Sequence, residues 1–144
     1  MPEAFSAIRM QTELQTMLQL RPNPAWDVPV LLTEAHQDRG VYVLFNTNGT
    51  VLSERNGRAL IDAGLDELRV SLDASNRESF KMIRGRDYFG RILRNVRAFR
   101  ELQEREGYAR PQVSVWLTGL RETVEELPAF VKVAAEIGVK EVHL

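Results

Sequence analysis

Val41-Tyr-Val-Leu-Phe-Asn-Thr-Asn-Gly-Thr50 and Leu68-Arg-Val-Ser-Leu-Asp73 are two apolar runs that each end in small polar residues. Val41 to Phe45 is β-branched and aromatic and too short for a helix, which predicts a buried strand. Asn46, Thr47 and Asn48 set hydrogen-bonding side chains at its carboxyl end, and Gly49 permits a tight turn. In the second run Leu68, Val70 and Leu72 are apolar, with Ser71 and Asp73 at the end. Ligands of α/β proteins sit at the carboxyl ends of parallel strands. Two polar strand ends therefore predict one site.

Outward from these runs, one pattern recurs: a helix ends at a glycine and a strand follows shortly after. It appears around Gly40, Gly64 and Gly138. This is the helix-to-strand half of a βα unit, used three times. Between the repeats, Ser53 to Ala63 reads as a helix with Ser53 as N-cap. Asp87 to Glu106 reads as a longer helix with Ile92, Leu93, Val96, Phe99 and Leu102 on one face. Gln112 to Leu117 reads as a strand. Thr123 to Ile137 reads as a helix opened by a capping box from Thr123 and Glu126. Strands are thus expected near Val41, Glu67, Gln112 and Lys140. They should form an α/β fold, an open parallel sheet of about four strands or a partial (β/α) barrel, with its helices on one face. Earlier in the chain, Pro2 to Leu20 and a stretch from Asp27 to Gly40 carry weaker helical patterns. Arg21-Pro22-Asn23-Pro24 separates them.

The chain has 144 residues, enough for one domain with a real core. Its 19 basic and 20 acidic residues leave a net charge of −1, which gives no support for nucleic-acid binding. No apolar run approaches the ~20 residues of a membrane span. The amino terminus lacks the basic start and apolar core of a signal peptide, so a cytoplasmic location is expected. There is no cysteine, hence no disulfide and no thiolate ligation of zinc or an iron–sulfur cluster.

Asn46-Thr-Asn-Gly-Thr50, Leu60 to Asp73, Phe80-Lys-Met-Ile-Arg-Gly85, Asn95-Val-Arg-Ala98, Glu126-Leu-Pro128 and Glu141-Val-His-Leu144 together resemble the middle and later part of a radical S-adenosylmethionine (radical SAM) core. The resemblance covers 22–144, and 1–21 reads as a separate N-terminal helical segment. It implies a partial (β/α)6 barrel that binds SAM beside a four-iron–four-sulfur cluster and cleaves it to a 5′-deoxyadenosyl radical. The family's Cys-x3-Cys-x2-Cys motif and its Gly-Gly-Glu-Pro segment are absent from this sequence. The first two βα units are therefore expected to be missing or replaced by Met1 to Leu20. Without thiolates the chain is not expected to hold a cluster or to perform the chemistry alone.

The resemblance assigns cofactor contacts to Thr47, Asn48, Ser71, Asp73 and Arg84, and no catalytic or metal-binding residue. Each has an alternative reading. Ser71 matches a SAM-contacting position, or is a small residue packed at a strand end. Asp73 binds ribose hydroxyls or caps the following helix. Thr47 and Asn48 line the pocket, or Asn48 simply forms the turn. Arg84 resembles an arginine near the SAM carboxylate, or is a solvated surface residue. Trp116 is expected in the core. His36 and His143 stand alone and are not expected to bind metal. The arginines between Arg91 and Arg100 are expected to form a solvated helix face. Two functional readings lead: a radical SAM enzyme represented by an incomplete chain, or a degenerate SAM-binding or partner module of the same fold. An unrelated α/β enzyme is a third, but no glycine-rich phosphate loop supports it. The substrate, a small molecule or a peptide, is not readable. Open sheet edges predict self-association or a partner.

Overall fold

The computed structural model describes residues 42–121 and 123–144. The two helices expected before Gly40, and the division at residue 21, lie outside the described residues. Four strands, β1 (Leu44–Thr47), β2 (Glu67–Ser71), β3 (Gln112–Trp116) and β4 (Glu141–His143), form one sheet in the order β1-β2-β3-β4. Every neighbouring pair is parallel, as the helix–glycine–strand repeats require. Helix α1 (Glu54–Asp62) connects β1 to β2, and α2 (Arg77–Arg84) and α3 (Phe89–Glu106) connect β2 to β3. A 3-10 turn (Val124–Glu126) and α4 (Leu127–Glu136) connect β3 to β4.

The strand expected at Val41–Phe45 pairs further along, from Leu44 to Thr47. A strand needs a partner, and β2 begins only at Glu67, opposite Leu44. Val43 is tied in differently: its N–H donates to the Asp66 carboxylate at 2.8 Å, and its carbonyl accepts from Asp66 N and Glu67 N. Asn46 and Thr47 thus belong to the strand rather than to the loop behind it.

Helix α1 starts where its sequence predicts. Ser53 caps it by accepting from Asn56 N at 3.2 Å. Helix α2 is expected from the sequence only as an unbounded helix after Asp73, because among its eight residues only Phe80 is buried and the apolar stripe is thin. Its ends define it: Asn76 accepts from Ser79 N at 3.0 Å, and Gly85 closes it in the left-handed region at φ 70°. Helix α3 starts at Phe89, two residues later than expected, because Asp87 is ion-paired with Arg77 and does not cap it.

The expected capping box at Thr123 does not form. The Thr123 hydroxyl donates to the Thr118 carbonyl at 2.8 Å and accepts from Leu120 N at 3.1 Å, closing its own loop. Glu126, the other half of the box, turns to residues of the β2–α2 loop and α2 instead.

Strand side chains alternate between two unlike faces. Leu68, Val70, Val113 and Val115 point into one hydrophobic cluster with Ile92, Val96, Phe99 and Leu102 of α3 and Phe130 of α4. Burial of each such side chain contributes about 1.5–3 kcal/mol. Helix α1 meets α3 closely: a Cβ on the buried Gly57 would lie 2.6 Å from Phe99 Cδ2. The opposite face carries Asn46, Glu67, Arg69, Ser71, Ser114, Trp116, Glu141 and His143.

Candidate functional site

That second face is unusual for a parallel sheet, whose strands are normally apolar on both sides. Its polar residues stand in rows. Asn46, Arg69, Ser114 and Glu141 are in register across the four strands, and Ser71, Trp116 and His143 form the next row toward the carboxyl ends. Arg69 holds the Glu67 carboxylate through Nε at 2.6 Å, and Tyr42 donates to the same carboxylate at 3.2 Å. The Arg69 hydrogen bonds hold the Glu67 carboxyl below its usual range against the opposing effect of burial. Desolvation first, and the Glu67 charge second, raise the Tyr42 hydroxyl.

Trp116 is not in the core, contrary to the sequence expectation. Its ring stacks on His143 at 4.5 Å between centroids, and the Arg69 guanidinium lies 4.9 Å from the ring centre. Its indole N–H donates to Ser114 Oγ at 2.9 Å. Glu67, Arg69, Trp116 and His143 therefore form a continuous polar and aromatic floor. The alternation of Leu68-Arg-Val-Ser-Leu-Asp73 and Gln112-Val-Ser-Val-Trp-Leu117 carried this signal: each second residue is polar or amphipathic.

The five residues assigned from the resemblance are distributed over this frame. Ser71 lies on the polar face, half-buried in the same row as Trp116 and His143, and its hydroxyl has no partner among the described residues. Thr47 pairs with Val70 on the apolar face, and its hydroxyl accepts from Gly49 N at 3.0 Å. Asn48 Oδ1 accepts from Thr50 N at 3.0 Å and Thr50 Oγ1 at 2.7 Å, as a turn former does. Gly49 has φ 72°, and a Cβ there would sit 3.0 Å from Ile92 Cγ2, so the turn needs glycine twice over.

Asp73 and Arg84 are brought together as an ion pair. Asp73 is buried, and its other oxygen accepts from Thr118 N at 3.0 Å and Thr118 Oγ1 at 2.7 Å. It adopts a left-handed φ of 59°, which aspartate tolerates better than most residues. Helix α2 is capped by Asn76, not by Asp73. Asp73 thus joins the ends of β2 and β3, and Arg84 reaches the rim through it.

Glu126 is a second tie across the same rim. It accepts from Ser75 N at 2.9 Å, from Ser75 Oγ at 2.7 Å and from Ser79 Oγ. Burial pushes its carboxyl up, but the hydrogen bonds from Ser79 and Ser75 outweigh burial and hold it below the usual range. No local pattern joins residues 51 apart in sequence. Arg91, Arg94 and Arg97 are exposed on the outer side of α3, as expected. Arg100 is not part of a solvated face: it packs toward the end of α4, donating to Gly138 O at 2.9 Å and to Gln103 Oε1 at 2.6 Å.

A family model for the radical SAM superfamily matches residues 3–134. The chain belongs to the radical SAM superfamily. Among its relatives, an uncharacterized protein of Methanocaldococcus jannaschii is 43% identical over 61 residues, covering 42% of this chain and 21% of that protein. A probable GTP 3′,8-cyclase of Metallosphaera sedula is 30% identical over 118 residues, covering 82% of this chain and 35% of the relative. One from Saccharolobus islandicus is 31% identical over 102 residues, covering 71% of this chain and 31% of the relative. The chain therefore spans about a third or less of the length of these relatives.

Radical SAM proteins in general pair S-adenosylmethionine with a four-iron–four-sulfur cluster. This radical SAM chain has no cysteine. Among the described residues, no group of three His, Cys, Asp or Glu could hold a metal ion. The donor set does not fit the cluster. Also among the described residues, no helix is long and apolar enough to cross a membrane.

Proposed function

We propose that this chain forms the SAM-binding wall of a radical SAM-type protein and does not itself hold the electron source for SAM cleavage. One observation carries the reading. A parallel sheet covered by helices on one face presents on the other a polar surface, in which Arg69, Trp116 and His143 stack together, Ser71 shares the row of Trp116 and His143, and the β1 turn stands at the carboxyl end. Among the described residues the Ser71 hydroxyl, the Asn46 carboxamide and the Asn48 amide nitrogen are uncommitted groups at this end of the sheet, suited to the hydroxyls and carboxylate of the ligand. The Asp73–Arg84 pair braces the rim and orders the loop behind it. The chain's own residues bind and orient; with no cysteine, it supplies no thiolate for a reducing cluster.

Titration calorimetry of the full chain with SAM tests the first half. Saturable binding is expected, weakened about two- to tenfold by Ser71→Ala, the size of one hydrogen bond of about 0.5–1.5 kcal/mol. Absence of binding, or indifference to Ser71→Ala, refutes the wall. Anaerobic incubation with iron and sulfide tests the second half. The chain should stay colourless, and a stable cluster absorbance with matching iron and sulfide content would overturn it.

A further inference from the structure

Asn95 lies on α3, in the helix layer, yet its amide nitrogen donates to two consecutive carbonyls of the β1–α1 turn. These are Gly49 O at 2.9 Å and Thr50 O at 3.2 Å. Both partners are acceptors, so the donor end of the amide must face them. One turn earlier on the same helix stands Ile92, whose Cγ2 would lie 3.0 Å from a Cβ on Gly49. Helix α3 therefore seats the turn with one apolar contact and holds it with one amide.

A peptide unit is planar, so a carbonyl pinned toward the helix turns its N–H the opposite way. In the Gly49–Thr50 unit that N–H reaches Asn48 Oδ1 at 3.0 Å. This holds the Asn48 carboxamide by its oxygen and leaves its nitrogen uncommitted. In the Thr50–Val51 unit the N–H points away from α3, and no acceptor for it stands among the described residues. Two donors, Val51 N–H and Asn48 Nδ2, are thus left at the carboxyl end of β1. Leu52 N also reaches Gly49 O at 3.4 Å, and Ser53 N and Asn56 Nδ2 hold the Val51 carbonyl at 2.8 and 2.7 Å, but the Thr50 carbonyl is held by Asn95.

We propose that Asn95 is a positioning residue for the ligand site. Through the Gly49 and Thr50 carbonyls it orients Val51 N–H and Asn48 Nδ2 as a donor pair for acceptor oxygens of the bound ligand. The inference rests on the SAM-binding reading for its ligand, but not for the geometry of the turn. Asn95→Leu keeps the branched shape and removes both donors. Asn95→Asp sets two acceptors against two carbonyls.

The experiment measures amide exchange at Thr50 by NMR and the affinity for S-adenosylhomocysteine, with Val113→Ala in the distant strand β3 as a control for stability loss. Both Asn95 variants should speed Thr50 exchange and weaken binding by about tenfold each, the scale of losing the turn's two tethers. Val113→Ala should change neither. Thr50 exchange as slow as in the wild type in folded Asn95→Leu overturns the positioning role, and so does unchanged affinity. A wild-type chain that binds no S-adenosylhomocysteine overturns the SAM-binding reading instead, and Thr50 exchange then decides the role of Asn95. If Asn95→Asp does not fold, Asn95→Leu carries both measurements.

Discussion

Replacing Glu126 by glutamine should loosen the carboxyl rim of the sheet without disturbing its core. The carboxylate accepts from Ser75 N at 2.9 Å, Ser75 Oγ at 2.7 Å and Ser79 Oγ, with a longer contact from Asn76 Nδ2 at 3.4 Å. Glutamine keeps one acceptor oxygen for Ser75 and can donate to the Ser79 hydroxyl, which rotates. What it loses is charge assistance, the difference between about 1.5–3 and about 0.5–1.5 kcal/mol for a hydrogen bond. Over the contacts at 2.9 Å or less, and with partial exposure, the expected destabilisation is about 1–2 kcal/mol. For a domain of this size that lowers Tm by roughly 3–8 °C.

The effect should depend on pH with a definite sign. The folded Glu126 carboxyl lies below its ordinary value, so its stabilisation is fully present above the unfolded value of roughly 4.3. It is lost as pH falls through the folded value. Urea melts of wild type and Glu126→Gln between pH 7 and pH 3 measure this. The two curves should stand apart at pH 6–7 and converge in the acid range. A gap that stays constant down to pH 3 would show that the glutamine variant acts through packing and not through the carboxylate.

Two other outcomes are expected from the described geometry. Gly57→Ala should destabilise by about 1–2 kcal/mol in thermal melts. The new methyl group would meet the buried Phe99 ring at 2.6 and 2.9 Å, and overpacking outweighs the helix-propensity gain of up to about 1 kcal/mol; a stabilised variant would refute the tight α1–α3 approach. Strand β4 has no neighbour on its outer side among the described residues, and Leu144 beside it is 61% exposed. Light scattering over a dilution series should therefore show concentration-dependent association, and a strict monomer at every concentration would show that the edge is covered.

Much of the scaffold was legible in the sequence because its causes are local. Glycines after helical stretches and β-branched runs behind them mark parallel βα units, and Ser53 marks the start of α1 by the hydrogen bond it makes three residues on. The misses have physical reasons too. Helix α2 is thin in apolar residues and visible only through Asn76 and Gly85. Thr123 and Glu126 have the spacing of a capping box but find better partners elsewhere. For the motif that Thr47 and Asn48 share, the register sends Thr47 to the apolar face, and the Asn48 oxygen takes the turn-forming role of its alternative reading.

By itself, then, the sequence determined the strand order, the helix faces, the absence of thiolate ligands and the superfamily resemblance. All of these follow from residue type and short-range periodicity. Only the tertiary structure decided how the site is built. The stack of Arg69, Trp116 and His143, the clamp of Asp73 by Arg84 and Thr118, and the hold of Asn95 on Gly49 join residues from separate elements. Side-chain alternation says which face a residue takes, but which residues meet there depends on the register between strands. That register is set by the whole packed sheet and not by any one segment.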